Sequence, residues 1–280
     1  MSPDNDLMRM YIFSHGYIEN DVAVNLLNPY LGTEDNKNPQ AQWHRVPSVT
    51  FLIHHPQEGW ILYDSASHPD AMTRWPEWNR RFAPPTIPPD ETLVARLAQV
   101  GLKPSDIDWL IQSHLHQDHA GGIEFFANTK AGSRVLVHRK ELERALFNAF
   151  SGQEDTKAYL KEDFAGIPGI KYECIEEDYL EFAPGIDIVH LPGHTPGVIG
   201  LLLHFKNSGT IILPSDALYM AENFGPPPWL PGIFDNSEDW RKSVRKVAVL
   251  QKKYNARIFY AHDWKQLTTE MKLAPDHYYD

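Results

Sequence analysis

Along the chain, short apolar segments of strand length alternate with segments whose apolar residues recur every three to four positions. The first pattern is typical of strands and the second of helices. Helices are predicted over Glu91–Val100, from the end of the His138 strand to about Phe150, and from Trp240 to about Tyr254 with Ser237 as the cap. The predicted strands are Met8–Phe13, Val49–His54, Trp60–Tyr63, Asp106–Gln112, Arg134–His138, Ile186–Leu191, Val198–Phe205, Thr210–Leu213 and Arg257–Tyr260.

The order of these elements predicts the fold class. Strands outnumber helices and come in meanders towards both ends, which favours an α/β architecture of two mixed sheets facing each other, with helices outside. Such a sandwich has four layers. No linker of Pro, Gly and Ser, charge run or internal repeat interrupts the sequence, so we expect one domain over residues 1–280.

Composition narrows the possible partners and compartment. The net charge of −11 argues against a nucleic-acid partner and an anionic membrane surface, because both need clustered Lys and Arg. No apolar run approaches the length of a membrane span, and the first residues lack the basic and apolar regions of a signal peptide. The single Cys174 excludes an internal disulfide and is interpreted as a half-buried strand residue. We therefore expect a cytoplasmic protein.

The segment Ser113–Gly122 carries the strongest chemical signal. It places four metal-type ligands within six positions, after a predicted strand and at the start of a helix. Side chains fan out from such a turn, so two imidazoles point one way and a carboxylate and third imidazole the other, which suits two adjacent cations. Nitrogen and oxygen donors without thiolate favour zinc, with iron, manganese or cobalt as alternatives. The candidate ligands are His114, His116, Asp118 and His119.

Three further residues follow later predicted strands. His194 lies in a Gly/Pro turn, Asp216 ends an apolar strand where a carboxylate can bridge two ions, and His262 follows the last strand. Singly, each has an ordinary alternative, as a surface histidine or a helix cap. Together with the four residues above they supply five imidazoles and two carboxylates, enough for two ions sharing a water.

The order H-x-H-x-D-H, P-G-H-T-P-G, S-D and a late A-H-D resembles the metallo-β-lactamase fold superfamily, from about Met10 to Trp264. The resemblance implies an αββα sandwich with two metal ions and a hydroxide held between them. It implies the following assignment: His114, His116 and His194 on the first ion, Asp118, His119 and His262 on the second, and Asp216 between them. The chain departs from the family at Asp64-Ser65-Ala66, where Asp-Thr-Gly is usual. The retained Asp64 implies a residue that supports a metal ligand, and Ala66 in place of glycine implies a mildly altered loop path.

Several chemistries of the superfamily fit this chain poorly. The commonest zinc β-lactamases use cysteine where Asp216 stands. Glyoxalase II adds a long C-terminal helical segment, whereas 18 residues follow His262 here. Diiron nitric-oxide reductases replace the second histidine by Glu, and nuclease members need a basic face.

The lactonase branch remains. Asp216-Ala217-Leu218-Tyr219 resembles the D-A-S-Y segment of N-acyl-homoserine lactonases, and Glu222-Asn223 also matches. The resemblance implies that Tyr219 contacts substrate and donates its hydroxyl to the lactone carbonyl or to the oxyanion formed from it. The alternative is a packed ring whose hydroxyl is tied to backbone.

The expected function is therefore the opening of a lactone ring, favouring N-acyl-homoserine lactones and hence quorum quenching, by the hydroxide between the two cations. Asp118 would relay a proton to the departing alkoxide. Hydrolysis of another lactone such as 4-pyridoxolactone, whose lactonase shares these features, or of a thioester, is the alternative. A metal-binding protein without turnover is the alternative of a different class.

Two aromatic segments are candidates for the walls of a substrate pocket. The proline-rich loop Phe224–Pro231 carries two large aromatic residues, Phe224 and Trp229. This loop is expected either to form the floor of a pocket or to pack on its own domain. Ser151–Gly169 is a candidate lid.

A second aromatic group lies earlier in the chain. Trp75, Trp78 and Phe82 are expected to form the opposite wall or a subunit contact, which leaves a homodimer open. The remaining histidines lack ligand spacing and are expected to be core or surface residues, with His15 and His68, which follow predicted strand ends, as the two further candidates.

Overall fold

The computed structural model describes residues 7–151 and 158–280. Its strands are β1 (Arg9–Asp21), β2 (Trp43–His55), β3 (Gly59–Tyr63), β4 (Pro85–Thr86), β5 (Trp109–Ile111), β6 (Val135–His138), β7 (Tyr172–Ile175), β8 (Tyr179–Ala183), β9 (Ile186–His190), β10 (Ile199–Phe205), β11 (Gly209–Leu213) and β12 (Arg257–Ile258).

The helices are α1 (Val22–Asn25), α2 (Ala71–Arg74), α3 (Glu77–Phe82), α4 (Leu93–Gln99), α5 (Gln117–Ala120), α6 (Arg139–Ser151), α7 (Lys161–Phe164), α8 (Ala221–Phe224), α9 (Ser237–Tyr254) and α10 (Trp264–Thr269). Short 3₁₀ turns occupy Pro89–Glu91, Pro104–Asp106, Ile123–Phe126, Gly132–Arg134 and Ser215–Ala217.

The strands of the described residues form two sheets. One has the order β4-β1-β2-β3-β5-β6-β7, antiparallel from β4 to β3 and parallel from β3 to β7. The other has the order β12-β11-β10-β9-β8, with β12 added in parallel to an antiparallel meander. Both sheets are mixed, as predicted.

Three apolar clusters show the layering. Residues of both sheets, such as Ile53 and Leu201, pack together in one cluster between them. Leu97 of α4 packs on the outer face of the first sheet, and Val244 of α9 packs on the outer face of the second. Helices therefore cover both outer faces, and the predicted four-layer αββα sandwich is confirmed.

Some boundaries differ from the prediction. β1 continues past Phe13 because a bulge between Ser14 and Tyr17, with Gly16 at φ 79°, restores pairing beyond the polar residues. The cap predicted at Ser237 is wrong. Asn236 caps α9, since its Oδ1 accepts from the backbone N–H groups of Glu238 and Asp239 at 2.9 and 3.0 Å.

Candidate metal centre

Four loops at the ends of strands carry the predicted ligands. The first leaves β5 and enters α5, where His116 is the N-cap residue and Asp118 and His119 lie in the first turn. Backbone direction therefore changes between His114 and His119, and their side chains fan out as the sequence predicts.

The other three loops converge on the same point. The turn between β9 and β10 brings in His194, a 3₁₀ turn after β11 brings in Asp216, and the segment between β12 and α10 brings in His262. In the first of these loops, Gly193 has φ 140°, and a Cβ there would lie 2.4 Å from Cα of Trp240. Only glycine lets this turn rest directly on helix α9.

Candidate ligand atoms lie within 4.8 Å of one another in three sets that overlap. We call His114, His116 and His194 the first ligand group, and Asp118, His119 and His262 the second ligand group. The third set consists of His114, His119 and Asp216, and so joins the two groups.

Asp216 lies between the two groups. Its Oδ2 is 3.3 Å from Nε2 of His194 and 3.6 Å from Nε2 of His114. Its Oδ1 is 3.2 Å from Nε2 of both His119 and His262. One oxygen thus faces each group, which is the arrangement of a carboxylate that bridges two cations.

The donor set fits two metal ions. Ligand atoms about 2.0–2.1 Å from a tetrahedral zinc lie about 3.3 Å apart. Here Nε2 of His194 is 2.9 Å from Nδ1 of His116, and Nε2 of His119 is 3.3 Å from Nε2 of His262. Among the described residues, Nε2 of His114 is buried without a hydrogen-bond partner. Buried polar atoms are rarely left so, and a cation would satisfy this nitrogen.

Burial and mutual charge set the protonation of the metal-free groups. Burial lowers the pKa of His114 and His116 well below the usual value, which favours the neutral imidazole that binds metal. Burial opposes charge at His119 as well, but the carboxylates of Asp216, Asp118 and Asp64 outweigh it and raise the pKa well above the usual value. The pKa of His262 is raised in the same way, with Asp216 as the main counter-charge.

Most ligand imidazoles are held by their outer nitrogen. Nδ1 of His119 donates to Oδ2 of Asp64 at 2.8 Å, and Nδ1 of His262 donates to the Pro47 carbonyl at 2.8 Å. Nδ1 of His114 lies 3.0 Å from Oγ of Ser113. These contacts fix the ring orientation and leave Nε2 towards the centre.

Asp64 contacts a candidate ligand, His119, as the sequence resemblance implies. Besides His119, it accepts from the backbone N–H and the hydroxyl of Ser113 at 2.7 and 2.8 Å. Ala66, where the family usually has glycine, has φ 59°, in the left-handed region that glycine prefers. The alanine therefore adopts a glycine-like backbone conformation.

A cavity of about 470 Å³ opens beside the ligands. His116, Asp118, His194, Asp216 and His262 form one side, and Tyr219 borders them. The rest of the lining is largely apolar: Ile18, Val24, Val46, Trp75, Trp78, Phe82, Ala83, Ala158 and Ile233, with Asn20, Asn25, Asn79 and Gln117 as its polar members.

The structure separates the two aromatic groups that the sequence proposed for the pocket. Trp75, Trp78 and Phe82 line the cavity, with the rings of Trp78 and Phe82 stacked at 4.5 Å. Phe224 and Trp229 are not among the described residues that line it. Phe224 borders a different pocket, and the indole N–H of Trp229 donates to the Leu27 carbonyl at 2.9 Å. Of the two alternatives expected for Phe224–Pro231, these contacts favour the loop that packs on its own domain.

The remaining candidates take other roles. His15 is bonded to Thr50 and the Glu91 carbonyl, and His68 pairs with Glu124 at 2.6 Å, so neither joins the ligand groups. Of the candidate lid Ser151–Gly169, residues 152–157 lie outside the described ones. Tyr159, just beyond them, packs edge-on against His116 with ring centroids 4.6 Å apart.

Sequence reasoning missed Gln117. It lies inside the histidine segment, is 7% exposed and lines the cavity between two ligand residues. Its position in the segment was the signal that could have identified it.

Within residues 7–151 and 158–280, no helix is long and apolar enough to cross a membrane.

Comparisons with known proteins agree with this fold. A profile of the metallo-beta-lactamase superfamily matches residues 44–262. The chain therefore belongs to the metallo-β-lactamase superfamily, and the family resemblance predicted from sequence is confirmed.

Particular relatives are more specific. An N-acyl homoserine lactonase from a Bacillus species is 35% identical over 214 residues, covering 75% of this chain and 79% of that protein. N-acyl homoserine lactonase AiiB of Agrobacterium fabrum is 26% identical over 277 residues, covering 96% and 99%. A solved structure of an N-acyl homoserine lactone hydrolase, with N-hexanoyl-L-homoserine bound at its catalytic metal centre, superposes with a TM-score of 0.80. It is 28% identical, covering 97% of this chain and 99% of that one.

Proposed function

We propose that this protein is a dinuclear metal-dependent hydrolase that opens the lactone ring of N-acyl-homoserine lactones, and that its native ions are zinc. The observation that carries the proposal is the position of Asp216 between two ligand groups, at the end of a cavity that Tyr219 also lines. The similarity to N-acyl homoserine lactonases along nearly the whole chain supports it.

Seven residues would hold the ions: the first ligand group on one, the second ligand group on the other, and Asp216 on both. When bound, two divalent ions supply Lewis acidity and lower the pKa of water, so that hydroxide is available near neutral pH. The protein contributes the orientation of the lactone, a hydrogen-bond donor at its carbonyl and a route for one proton.

The contacts of Tyr219 support this donor role. With an ion held by Nε2 of His194, which faces His116 and Asp216, Nδ1 would carry the ring proton and donate to the Tyr219 oxygen, 2.9 Å away. The tyrosine proton then stays available for a substrate oxygen in the cavity. Burial, with Asp216 and Asp118 nearby, raises the pKa of Tyr219 well above its usual value, so the hydroxyl keeps its proton.

The position of Asp118 supports a role in proton transfer. Its carboxylate lies 3.7 Å from Nε2 of His262 and 3.8 Å from Nε2 of His119, and its side chain keeps 21% exposure in the cavity wall. It belongs to the centre and also reaches solvent. We assign it the transfer of a proton to the alkoxide released when the ring opens.

The apolar part of the cavity suits an acyl chain. Trp75, Trp78 and Phe82 line it together with aliphatic side chains of β1 and β2. A chain bound there would remove apolar surface from water while the lactone ring stays beside Asp216 and Tyr219.

The test is proton release by zinc-loaded protein on hexanoyl- and decanoyl-homoserine lactones, 4-pyridoxolactone and a glutathione thioester. We expect the homoserine lactones to be opened. Tyr219→Phe should lower kcat by about 10²–10³, the usual effect of removing one oxyanion donor. Tyr254→Phe, at a half-buried position of α9 outside the cavity lining, is the matched control. Absence of lactone opening with two ions bound would refute the proposal, and turnover of another substrate would redirect it.

A further inference from the structure

Glu141 is a buried carboxylate that the proposed chemistry does not use. It lies in the first turn of α6 and has no exposed surface. A carboxylate without access to water is costly unless hydrogen bonds replace its hydration. Its partners therefore show what the site gains from it.

Donors converge on Glu141 from three parts of the chain. Oε1 accepts from the backbone N–H of Leu115 at 3.0 Å and from the hydroxyl of Tyr159 at 2.8 Å. Oε2 accepts from the hydroxyl of Thr195 at 2.5 Å. The backbone N–H of Gly197 is also a partner, and a Cβ at that position would lie 2.4 Å from Cβ of Glu141.

These donors belong to the loops of the first ligand group. Leu115 separates His114 from His116, and Thr195 directly follows His194. Tyr159, held by the same carboxylate, packs its ring against His116. One carboxylate thus connects the two loops that supply all three imidazoles of the first ligand group.

The second ligand group has different supports. Asp64 holds His119, and the Pro47 carbonyl holds His262. Glu141 makes no hydrogen bond to either imidazole among the described residues. Asp64 also reaches His114 through the Ser113 hydroxyl, whereas the hydrogen bonds of Glu141 go to residues beside the first ligand group.

We propose that Glu141 is a positioning residue that sets the affinity of the first ligand group for its ion, independently of the second. The three imidazoles come from loops far apart in sequence, so a shared anchor reduces the reorganisation needed to bind an ion. Removing a residue that supports metal ligands typically lowers affinity 10–100-fold. The inference concerns the metal centre and does not rest on lactone hydrolysis.

Glu141→Gln is the informative variant. Its single amide oxygen cannot accept from both backbone N–H groups and both hydroxyls in the native arrangement, while its shape is preserved. Glu143→Gln makes the same charge change at an exposed position of the same helix and is the control. Metal-free protein is titrated with Co²⁺ against a chromophoric chelator, and native mass spectrometry counts the bound ions.

We expect two ions in the wild type and the control. In Glu141→Gln one ion should bind 10–100-fold more weakly and the other unchanged. Placing both changes on His262→Ala identifies the affected group, because the first ligand group is then the intact one. Its affinity for Co²⁺ should fall with Glu141→Gln and not with Glu143→Gln.

Two outcomes would overturn the proposal. Unchanged Co²⁺ affinities would show that Glu141 does not act on the ligands. Equal weakening of both ions, with a lower melting temperature of the metal-free protein, would show a purely structural role. If Glu141→Gln does not fold, Thr195→Val removes one bond at nearly constant volume. It should then weaken the same ion to a smaller extent, and no weakening would count against the proposal.

Discussion

Nδ2 of Asn79 donates a hydrogen bond of 2.8 Å to Oε1 of Gln117 within the wall of the cavity. The bond ties helix α3 to the histidine segment and fixes which end of the Gln117 amide is engaged. The Gln117 Nε2 group is then the donor that this side chain offers to a bound molecule.

Gln117→Met should therefore weaken recognition of the acylamino group of the substrate. A neutral hydrogen bond contributes about 0.5–1.5 kcal/mol, so we expect KM for hexanoyl-homoserine lactone to rise roughly 2–10-fold with little change in kcat. Steady-state kinetics on γ-butyrolactone, which lacks this group, provide the comparison. An equal effect on both lactones would contradict this role.

Trp78→Ala should reduce the preference for long acyl chains. Trp78 stacks on Phe82 in the cavity lining, and losing about 50–60 Å² of apolar contact corresponds to about 1.4 kcal/mol. The ratio of kcat/KM for decanoyl- over butanoyl-homoserine lactone should fall about tenfold. Trp229→Ala, outside this lining, should leave the ratio within about twofold. A larger effect of Trp229→Ala than of Trp78→Ala would indicate that the acyl chain binds at the proline-rich loop instead.

Asp216→Asn should impair the binding of both ions, because each oxygen of this carboxylate faces one ligand group. We expect metal analysis to find at most one ion and lactone opening to fall to background. An ion present at one hundred times its Kd contributes about 2.7 kcal/mol to stability, so zinc should also raise Tm less in this variant. Asp90→Asn, at an exposed position, is the control, and two tightly bound ions in Asp216→Asn would be the contrary result.

His15 makes stability depend on pH. Burial lowers the pKa of His15 to about 4, whereas the unfolded chain takes up this proton near pH 6.5. The folded state thus favours neutral imidazole, and its contribution, complete above pH 6.5, is lost as pH falls towards 4. Between pH 7 and 4.5 the loss is about 2–3 kcal/mol. Urea unfolding of metal-free wild type and His15→Gln should show that difference, and parallel pH profiles would contradict it.

The ligand groups were predictable because their signal is local. His114, His116, Asp118 and His119 lie within one short segment, and residue type and spacing already indicate two cations. The end of an apolar strand likewise indicates where Asp216 would lie. Sheet order and the pairing of β4, β7 and β8 depend on contacts between distant segments and were not predicted.

The lining of the cavity was less predictable, because it also depends on contacts between distant segments. Ile18, Val46, Trp78 and Ile233 come from separate parts of the chain, and each looks like an ordinary core residue in sequence. Trp229 is the converse case: it is close to Tyr219 in sequence and was therefore a candidate for the pocket, but it does not line the cavity. There the backbone N–H of Trp229 bonds to the Glu222 carbonyl at 3.0 Å and its indole to Leu27, so the loop folds back on the protein.

The central position of Asp216 has a consequence for the protein before any ion arrives. Burial opposes the charge of its carboxylate, but the imidazoles of His119 and His262 outweigh burial and hold the pKa of Asp216 well below its usual value. In return, the Asp216 carboxylate raises the pKa of His119 and His262 and so keeps protons on both. Those protons occupy the electrostatic role of the absent cations. Loading the centre is therefore an ion exchange, in which each arriving cation displaces protons into the solvent. Protons therefore compete directly with metal ions for the centre. When an ion dissociates, protons on the imidazoles again balance the negative charge of the carboxylates.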